Sequence, residues 1–550
     1  MKRLFVFFAA LSLAAASAVA AAPPDKKAKD KDGDKPEAAA AGFFKPEAST
    51  TSGSVAVEGH RIDYQAVAGT LVVHPKGWDD SAKKADGDDK EKDKDKDKAA
   101  DTNPNAEASI FYVAYFKRGV APGTRPITFL FNGGPGSSTV WLHMGAFGPR
   151  RVITADDSHT PPAPYRLVDN AFSLLDASDL VFIDAPGTGF SRTEGKDKEK
   201  AFYGVDTDAY AFTEFTTQFL SKYGRWNSPK YLFGESYGTP RAALMVTQLE
   251  TERAVDFNGV ILLSAILSFD MSADDPQANP GIDAPYELAL PTYAASAWYH
   301  HKTNVPELAP LLDDAQHFAL NDYAVALEQG ANLPDAERER IAQKLHDFTG
   351  LPVEYIKKAD LRINVGEFEK TLQDDDDLTT GRLDTRFSGP TMDPLSKEAD
   401  YDPQSAAIGS AYVSAFNNYV RKDLHFGDGK IFKPENYEEV GDHWVLSHKP
   451  AGAFATPPTA PNVMPDLAAA MKYNPQLKIM LNGGYYDLAT PYFEGIYEMH
   501  HLQIPPKLQS NIEYHYYQSG HMVYAHEASL KQLHDNVAAF IRKTDHSKGE

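Results

Sequence analysis

Five short, almost uninterrupted apolar runs dominate the pattern of this chain: "ITFLF" (127–131), "DLVFID" (179–184), "KYLFG" (230–234), "GVILLS" (259–264) and "KIMLN" (478–482). A strand with one wet face alternates apolar and polar residues. Runs without alternation belong to strands covered on both faces, as in a parallel sheet. Helical patterns lie between them. In "DTDAYAFTEFTTQFLSKYG" the residues Phe212, Phe215, Phe219 and Tyr223 recur at helical spacing, with Asp206 as the expected N-cap and Gly224 as the stop. Strands alternating with crossover helices predict an open, mostly parallel α/β sheet. An apolar fraction of 42% over 550 residues is enough for a core of that size.

The rhythm is interrupted in several places. Residues 1–20 carry Lys2 and Arg3, an apolar run from Leu4 onward, and the small residues Ala18, Val19 and Ala20. This is the pattern of an export signal, and its apolar run is too short for a membrane span. The mature chain is expected to begin near Ala21 and to act in the periplasm or outside the cell. Residues 21–50 read as a charged, Ala- and Pro-rich disordered linker. A second charged run, 79–107, separates strand-like 61–73 from strand-like 109–116 and predicts a hairpin with a long solvated loop. Residues 268–460 are helix-rich and read as an inserted cap. They divide the core into 51–267 and 461–545, which ends on an amphipathic helix with Leu530, Leu533, Val537 and Ile541 on one face.

Composition removes several classes of function. The formal charge of −22 argues against a basic nucleic-acid-binding face. The chain has no cysteine, so disulfides, thiolate catalysis and cysteine metal sites are excluded, and a bacterial envelope protein fits best. The pairs His300-His301 and His500-His501 are adjacent and do not share a helix face, so no metal site is expected. No cofactor and no membrane span are expected, and the sequence is silent on oligomeric state.

One stretch carries chemistry. After "KYLF" come Gly234, Glu235, Ser236, Tyr237 and Gly238, and then "TPRAALMVTQL", a helix with Pro240 in its first turn. Glycines two before and two after a serine permit the tight strand-to-helix turn that lifts a hydroxyl above a sheet. A serine nucleophile needs a base and an acid to orient that base, in the order Ser, acid, His for this kind of fold. Asp487 follows the strand "KIMLN" and His521 follows the strand-like "IEYHYY", so all three lie at strand ends. The oxyanion donors are expected from the backbone: Gly134 in "FLFNGGPG" and Tyr237, one residue past the serine.

In "NGGPGSS" (132–138), "FIDAPGTGFS" (182–191), "GESYG" (234–238), Asp487 after "NGGYY", and "GHM" (520–522), the chain resembles the serine carboxypeptidases, over about residues 109–545. The resemblance implies an α/β-hydrolase fold, an acyl-enzyme mechanism and release of single residues from peptide C-termini. It implies Ser236 as nucleophile, His521 as base, Asp487 as its orienter, and Gly134 and Tyr237 as the oxyanion hole. Asn132, the Gly133 N–H and Glu235 would bind the substrate's terminal carboxylate, and Met522 would line the pocket for the leaving residue. Two carboxylates repel unless one is protonated, so a protonated Glu235 would favour acidic pH. The chain departs from the family at position 146, where alanine stands in place of a second glutamate. Recognition of the carboxylate would then be weaker, reorganised, or served by a basic residue such as Arg150 or Arg241. The aromatic stretch 291–301 is expected to pack within the cap. An esterase or acyltransferase on the same triad stays open as the alternative, and a non-catalytic binding protein on a hydrolase scaffold is disfavoured by the presence of all three triad residues.

Overall fold

The computed structural model describes residues 42–80, 105–453 and 460–546. The expected export signal 1–20, most of the expected linker and the interior of the charged run at 79–107 lie outside the described residues.

A ten-stranded sheet forms the body. Its strands are β1 (Ala48–Val57), β2 (His60–Val73), β3 (Ala106–Lys117), β4 (Ile127–Phe131), β5 (Asp179–Ile183), β6 (Arg192–Gly195), β7 (Lys230–Glu235), β8 (Gly259–Leu263), β9 (Lys478–Gly484) and β10 (Ile512–Tyr517). The order across the sheet is β1-β2-β3-β5-β4-β7-β8-β9-β10, with β6 paired to β3. β1 to β3 form an antiparallel ribbon, and β3 joins β5 antiparallel. From β5 to β10 every pairing is parallel. The five apolar runs are five of these six parallel strands, all but β10, and every residue of β4, β5 and β8 is buried. The ends of β2 and β3 meet in register across the charged run, with Val73 opposite Ala108. The first strand begins at Ala48, inside the stretch read as a linker. Alternating Ser, Thr and Val residues there pair with β2, where the charge-rich residues before them have no such pattern.

Helices cover both faces. α1 (Val205–Lys222) and α2 (Gly238–Arg253) bury Phe212, Phe215, Phe219, Leu244 and Leu249 on one side. The C-terminal helix Glu527–Thr544 buries Leu530, Leu533, Val537 and Ile541 on the other. Asp206 is not the N-cap of α1. Gly204 holds that position, and the Asp206 carboxylate instead meets His448. Gly224, in the left-handed region at φ +62°, follows the end of the helix as expected.

Within 268–460 two parts differ. Helices from Ala284–Tyr299 to Val365–Thr371 share an apolar cluster with Tyr486 and Leu488 of the loop after β9 and with Tyr492 and Phe493 at the start of the helix Tyr492–His500. The helix Pro403–Lys422 packs its Ile408, Tyr412 and Phe416 into the body of the protein. The aromatics of 291–301 are packing residues: Tyr293 is buried against Phe368, and its hydroxyl donates to the Ile363 carbonyl. Among the described residues no helix is long and apolar enough to cross a membrane.

Candidate functional site

The parallel strands all run the same way, so their C-terminal ends open on one edge of the sheet. β4 delivers Asn132, Gly133 and Gly134 there, β7 delivers Ser236, β8 delivers Ser264, and the loops after β9 and β10 deliver Asp487 and His521.

Ser236 sits at φ +58°, a left-handed conformation that costs a non-glycine residue about 1 kcal/mol or more and recurs at functional turns. Its N–H donates to Leu263 of β8 (3.0 Å), and its carbonyl accepts from the N–H and hydroxyl of Thr239 (2.8 Å each). The flanking glycines are required by contact. A Cβ at Gly234 would collide with the Gly238 carbonyl, and one at Gly238 would come within 2.8 Å of the Phe131 carbonyl. Gly133 is equally restricted, since a Cβ there would collide with the Tyr237 and Gly238 amides. The "NGG" loop therefore lies directly against the serine turn. Among the described residues no hydrogen bond from the Gly134 or Tyr237 N–H to another backbone group is seen.

The acid and the histidine are joined. Asp487 is fully buried, and its Oδ2 lies 2.8 Å from His521 Nδ1. The Thr490 hydroxyl donates to the same oxygen (2.8 Å), and the Ala489 and Thr490 amides donate to Oδ1 (2.9 and 3.0 Å). These bonds fix the carboxylate plane, and with it the ring. The Ser264 hydroxyl donates to the His521 carbonyl (2.9 Å), which ties the histidine loop to the strand beside Ser236. Burial pulls the imidazole pKa down, but the Asp487 charge and hydrogen bond, with the Glu235 charge beyond, hold it above the ordinary histidine value.

Glu235 is 2% exposed. Burial pushes its carboxyl up to about 7, against the His521 charge and hydrogen bonds from Tyr524 and Asn132. The Tyr524 hydroxyl lies 3.0 and 2.9 Å from the two carboxyl oxygens. Asn132 accepts from the Leu142 amide through Oδ1 (3.0 Å), which turns its NH₂ group the other way. Ala146 is buried in the wide helical turn Leu142–Phe147. Both arginines considered from sequence are already paired with carboxylates. Arg150 pairs with Asp169 at the surface (2.5 Å), and Arg241 is buried against Asp208 (2.6 Å). Arg241 acts one step back: its Nη1 donates to the Asn132 carbonyl (2.7 Å) and so braces that loop. Met522 is buried in the apolar layer over the sheet.

One supporting element has no signal in local sequence. The turn between the short paired strands Leu378–Thr380 and Ser388–Pro390 threads between the aspartate and histidine loops. The Arg382 carbonyl accepts from the Leu488 amide (3.0 Å), and the Thr385 amide donates to the Tyr486 carbonyl (2.9 Å). On the other side the Leu383 carbonyl accepts from the His521 amide (2.6 Å), and Asp384 Oδ2 accepts from the Gly520 amide (3.1 Å). Asp384 is itself clamped by Arg386, and both side chains are buried. Gly520 must be glycine, because a Cβ there would lie 2.4 Å from the Leu383 carbonyl.

A ten-stranded sheet with a serine turn after β7, and with Asp487 and His521 joined in the loops after β9 and β10, defines an α/β hydrolase. The family model described as serine carboxypeptidase matches residues 100–535, and the chain belongs to that family of hydrolases. Relatives include the Arabidopsis thaliana serine carboxypeptidase-like 36, 27% identical over 31% of this chain and 34% of that protein. A pheromone-processing carboxypeptidase KEX1 from Yarrowia lipolytica is 32% identical over 25% of this chain and 21% of that protein. The matched stretch is thus about a third or less of the length of either relative. Among solved structures, a proline iminopeptidase from Mycobacterium smegmatis aligns with 90% of this chain and 100% of its own, at 12% identity and a TM-score of 0.32.

Proposed function

We propose that this protein is a serine carboxypeptidase that removes residues from peptide C-termini through an acyl-enzyme. Ser236 Oγ attacks the last peptide carbonyl and passes its proton to His521 Nε2, while Asp487 holds the imidazole by its other nitrogen. The Gly134 and Tyr237 amides receive the oxyanion. His521 then protonates the departing amino acid, and water resolves the ester by the same route in reverse. The terminal carboxylate of the substrate lies against Asn132, the Gly133 N–H and a protonated Glu235.

The observation that carries this reading is the buried carboxyl of Glu235, adjacent to the nucleophile and bound by Tyr524. Mass spectrometry of a peptide library after incubation should show residues leaving one at a time from the C-terminus. Internal cuts, or a preference for C-terminal amides and simple esters over free carboxylates, would favour the esterase or acyltransferase reading that Ala146 leaves open. Ser236→Ala should abolish labelling by a fluorophosphonate, and labelling that persisted would remove Ser236 from the mechanism. The same reading takes residues 1–20 as a cleaved export signal, which N-terminal sequencing of the exported protein would test by a start near Ala21.

A further inference from the structure

We propose that Tyr524 completes the subsite that reads the substrate's terminal carboxylate, holding Glu235 in the way that a second acidic side chain at position 146 would. The inference rests on the carboxypeptidase reading, but the geometry stands apart from it. The buried Tyr524 hydroxyl reaches both oxygens of Glu235, at 3.0 and 2.9 Å. Its ring lies over the wide turn that carries Ala146: a Cβ added to Gly145 would be 2.7 Å from Tyr524 Cδ2 and 2.6 Å from the Tyr412 hydroxyl. Two tyrosines therefore pack against Gly145, the residue before Ala146. Tyr524 is three residues past His521, within the short turn Val523–Ala525, so a single loop carries both the histidine and the group that holds Glu235.

A tyrosine and a carboxyl are different partners. Two carboxyls that share a proton titrate as a pair and retain one proton to high pH, because both cannot ionise side by side. Tyr524 stays neutral: burial, with the Glu235 charge beside it, holds its own proton far above the usual tyrosine range. It donates one hydrogen throughout. When Glu235 is protonated, that hydrogen goes to the carbonyl oxygen and leaves the Glu235 O–H for the substrate carboxylate. When Glu235 is ionised, the same donation stabilises the charge. Recognition then hangs on one proton at Glu235. The other groups that bear on it are His521, which favours the ionised form, Asp487, which opposes it, the Asn132 amide, and Tyr412 with Arg151 behind it.

The test is Tyr524→Phe, which removes a single oxygen. Active sites are counted by fluorophosphonate titration so that only folded enzyme enters the kinetics. An N-blocked dipeptide, its C-terminal amide and a small ester are then compared from about pH 5 to 9. Loss of a hydrogen bond to a group of this kind should raise KM for the free-carboxylate dipeptide about tenfold or more, with kcat within about twofold. The amide and the ester should be unaffected. The alkaline limb for the dipeptide should move to higher pH, because Glu235 loses a donor to its ionised form. An unchanged KM with an unmoved limb overturns the proposal, and so does an equal loss on all three substrates, which would mean the tyrosine only supports the fold. A wild-type enzyme that does not prefer the carboxylate to the amide would refute the carboxypeptidase reading itself, a result visible before any variant is made.

Discussion

Replacing Asp384 by asparagine tests whether the turn at 381–387 holds the histidine loop in place. Asp384 and Arg386 form a two-pronged pair, Nε to Oδ1 at 2.9 Å and Nη2 to Oδ2 at 2.5 Å, with side chains 0% and 5% exposed. Removing one charge from such a buried pair costs about 3–5 kcal/mol, because the remaining ion is left buried without a counter-charge. Oδ2 serves both Arg386 Nη2 and the Gly520 amide, and Oδ1 serves Arg386 Nε, so wherever asparagine places its one oxygen its NH₂ group faces at least one of these donors, and a loss of about 3 kcal/mol, at the low end of that range, is expected. The chemical cost is separate. With its NH₂ group at the Oδ2 position the asparagine gives up the bond to Gly520, the residue before His521 is then free to shift, and a displacement on the order of 1 Å costs about 100-fold in rate. Adding Arg386→Met removes the stranded cation and should restore most of the stability while leaving the rate low. Denaturant midpoints and the rate of fluorophosphonate acylation measure the two effects independently. A single variant that matches the wild type in both would refute the claim that this turn positions His521. A double variant that regains the full acylation rate would show that only the charge mattered.

Glu235→Gln should separate substrate recognition from acyl transfer. In the wild type the carboxyl, pushed up to about 7, carries its proton below that pH and a charge above it, so the ratio of peptide to ester kcat/KM should fall about tenfold for each pH unit above 7. Dividing by the ester rate cancels the need for a neutral His521, and the glutamine variant should give a flat ratio; a wild-type ratio that did not vary with pH would remove Glu235 from carboxylate recognition. His448 gives a prediction about stability. Buried between Asp206 (2.6 Å) and Asp466 (3.0 Å), it is disfavoured as a cation by burial, but the hydrogen bonds and charges of the two aspartates push it up to about 9. Its contribution is complete below the ordinary histidine value near 6.5 and is lost as pH rises through about 9, so His448→Gln should lower the melting temperature at pH 6 and flatten its decline toward pH 9.5, and equal losses at both pH values would contradict the ion-pair account.

What could be read from the sequence and what could not are separated by the range of the interactions. The parallel strands were legible because burial on both faces is written in each run by itself: every residue of 127–131, 179–183 and 259–263 is buried. The serine turn was legible because its glycines answer contacts within a few residues, Gly234 against Gly238. Asp487 and His521 could be picked from the order of elements, since each follows a strand of one sheet. The polar support of the site has no such local mark. Asp206 has the residue type of a helix cap, yet its carboxylate meets His448 from the other half of the chain, and Gly204 does the capping. Arg241 looked like a candidate for substrate recognition because a cation next to a serine motif is conspicuous. Burial against Asp208 and Phe212 commits it to the interior, where its useful contact is the Asn132 carbonyl. The bonds from the turn at 381–387 are mostly backbone bonds, which any sequence could supply, so only the topology reveals them. Tyr524 shows the same limit most sharply. Ala146 marks a missing acid in one segment, and the hydroxyl that faces Glu235 comes from another segment 378 positions away along the chain. A buried carboxyl must find a partner wherever the fold brings one, and nothing in the spacing of either segment announces which partner that is. Residue types that carry out the reaction are therefore visible in motifs, while the groups that set their protonation and hold them still become visible only when the sheet has brought its strand ends together.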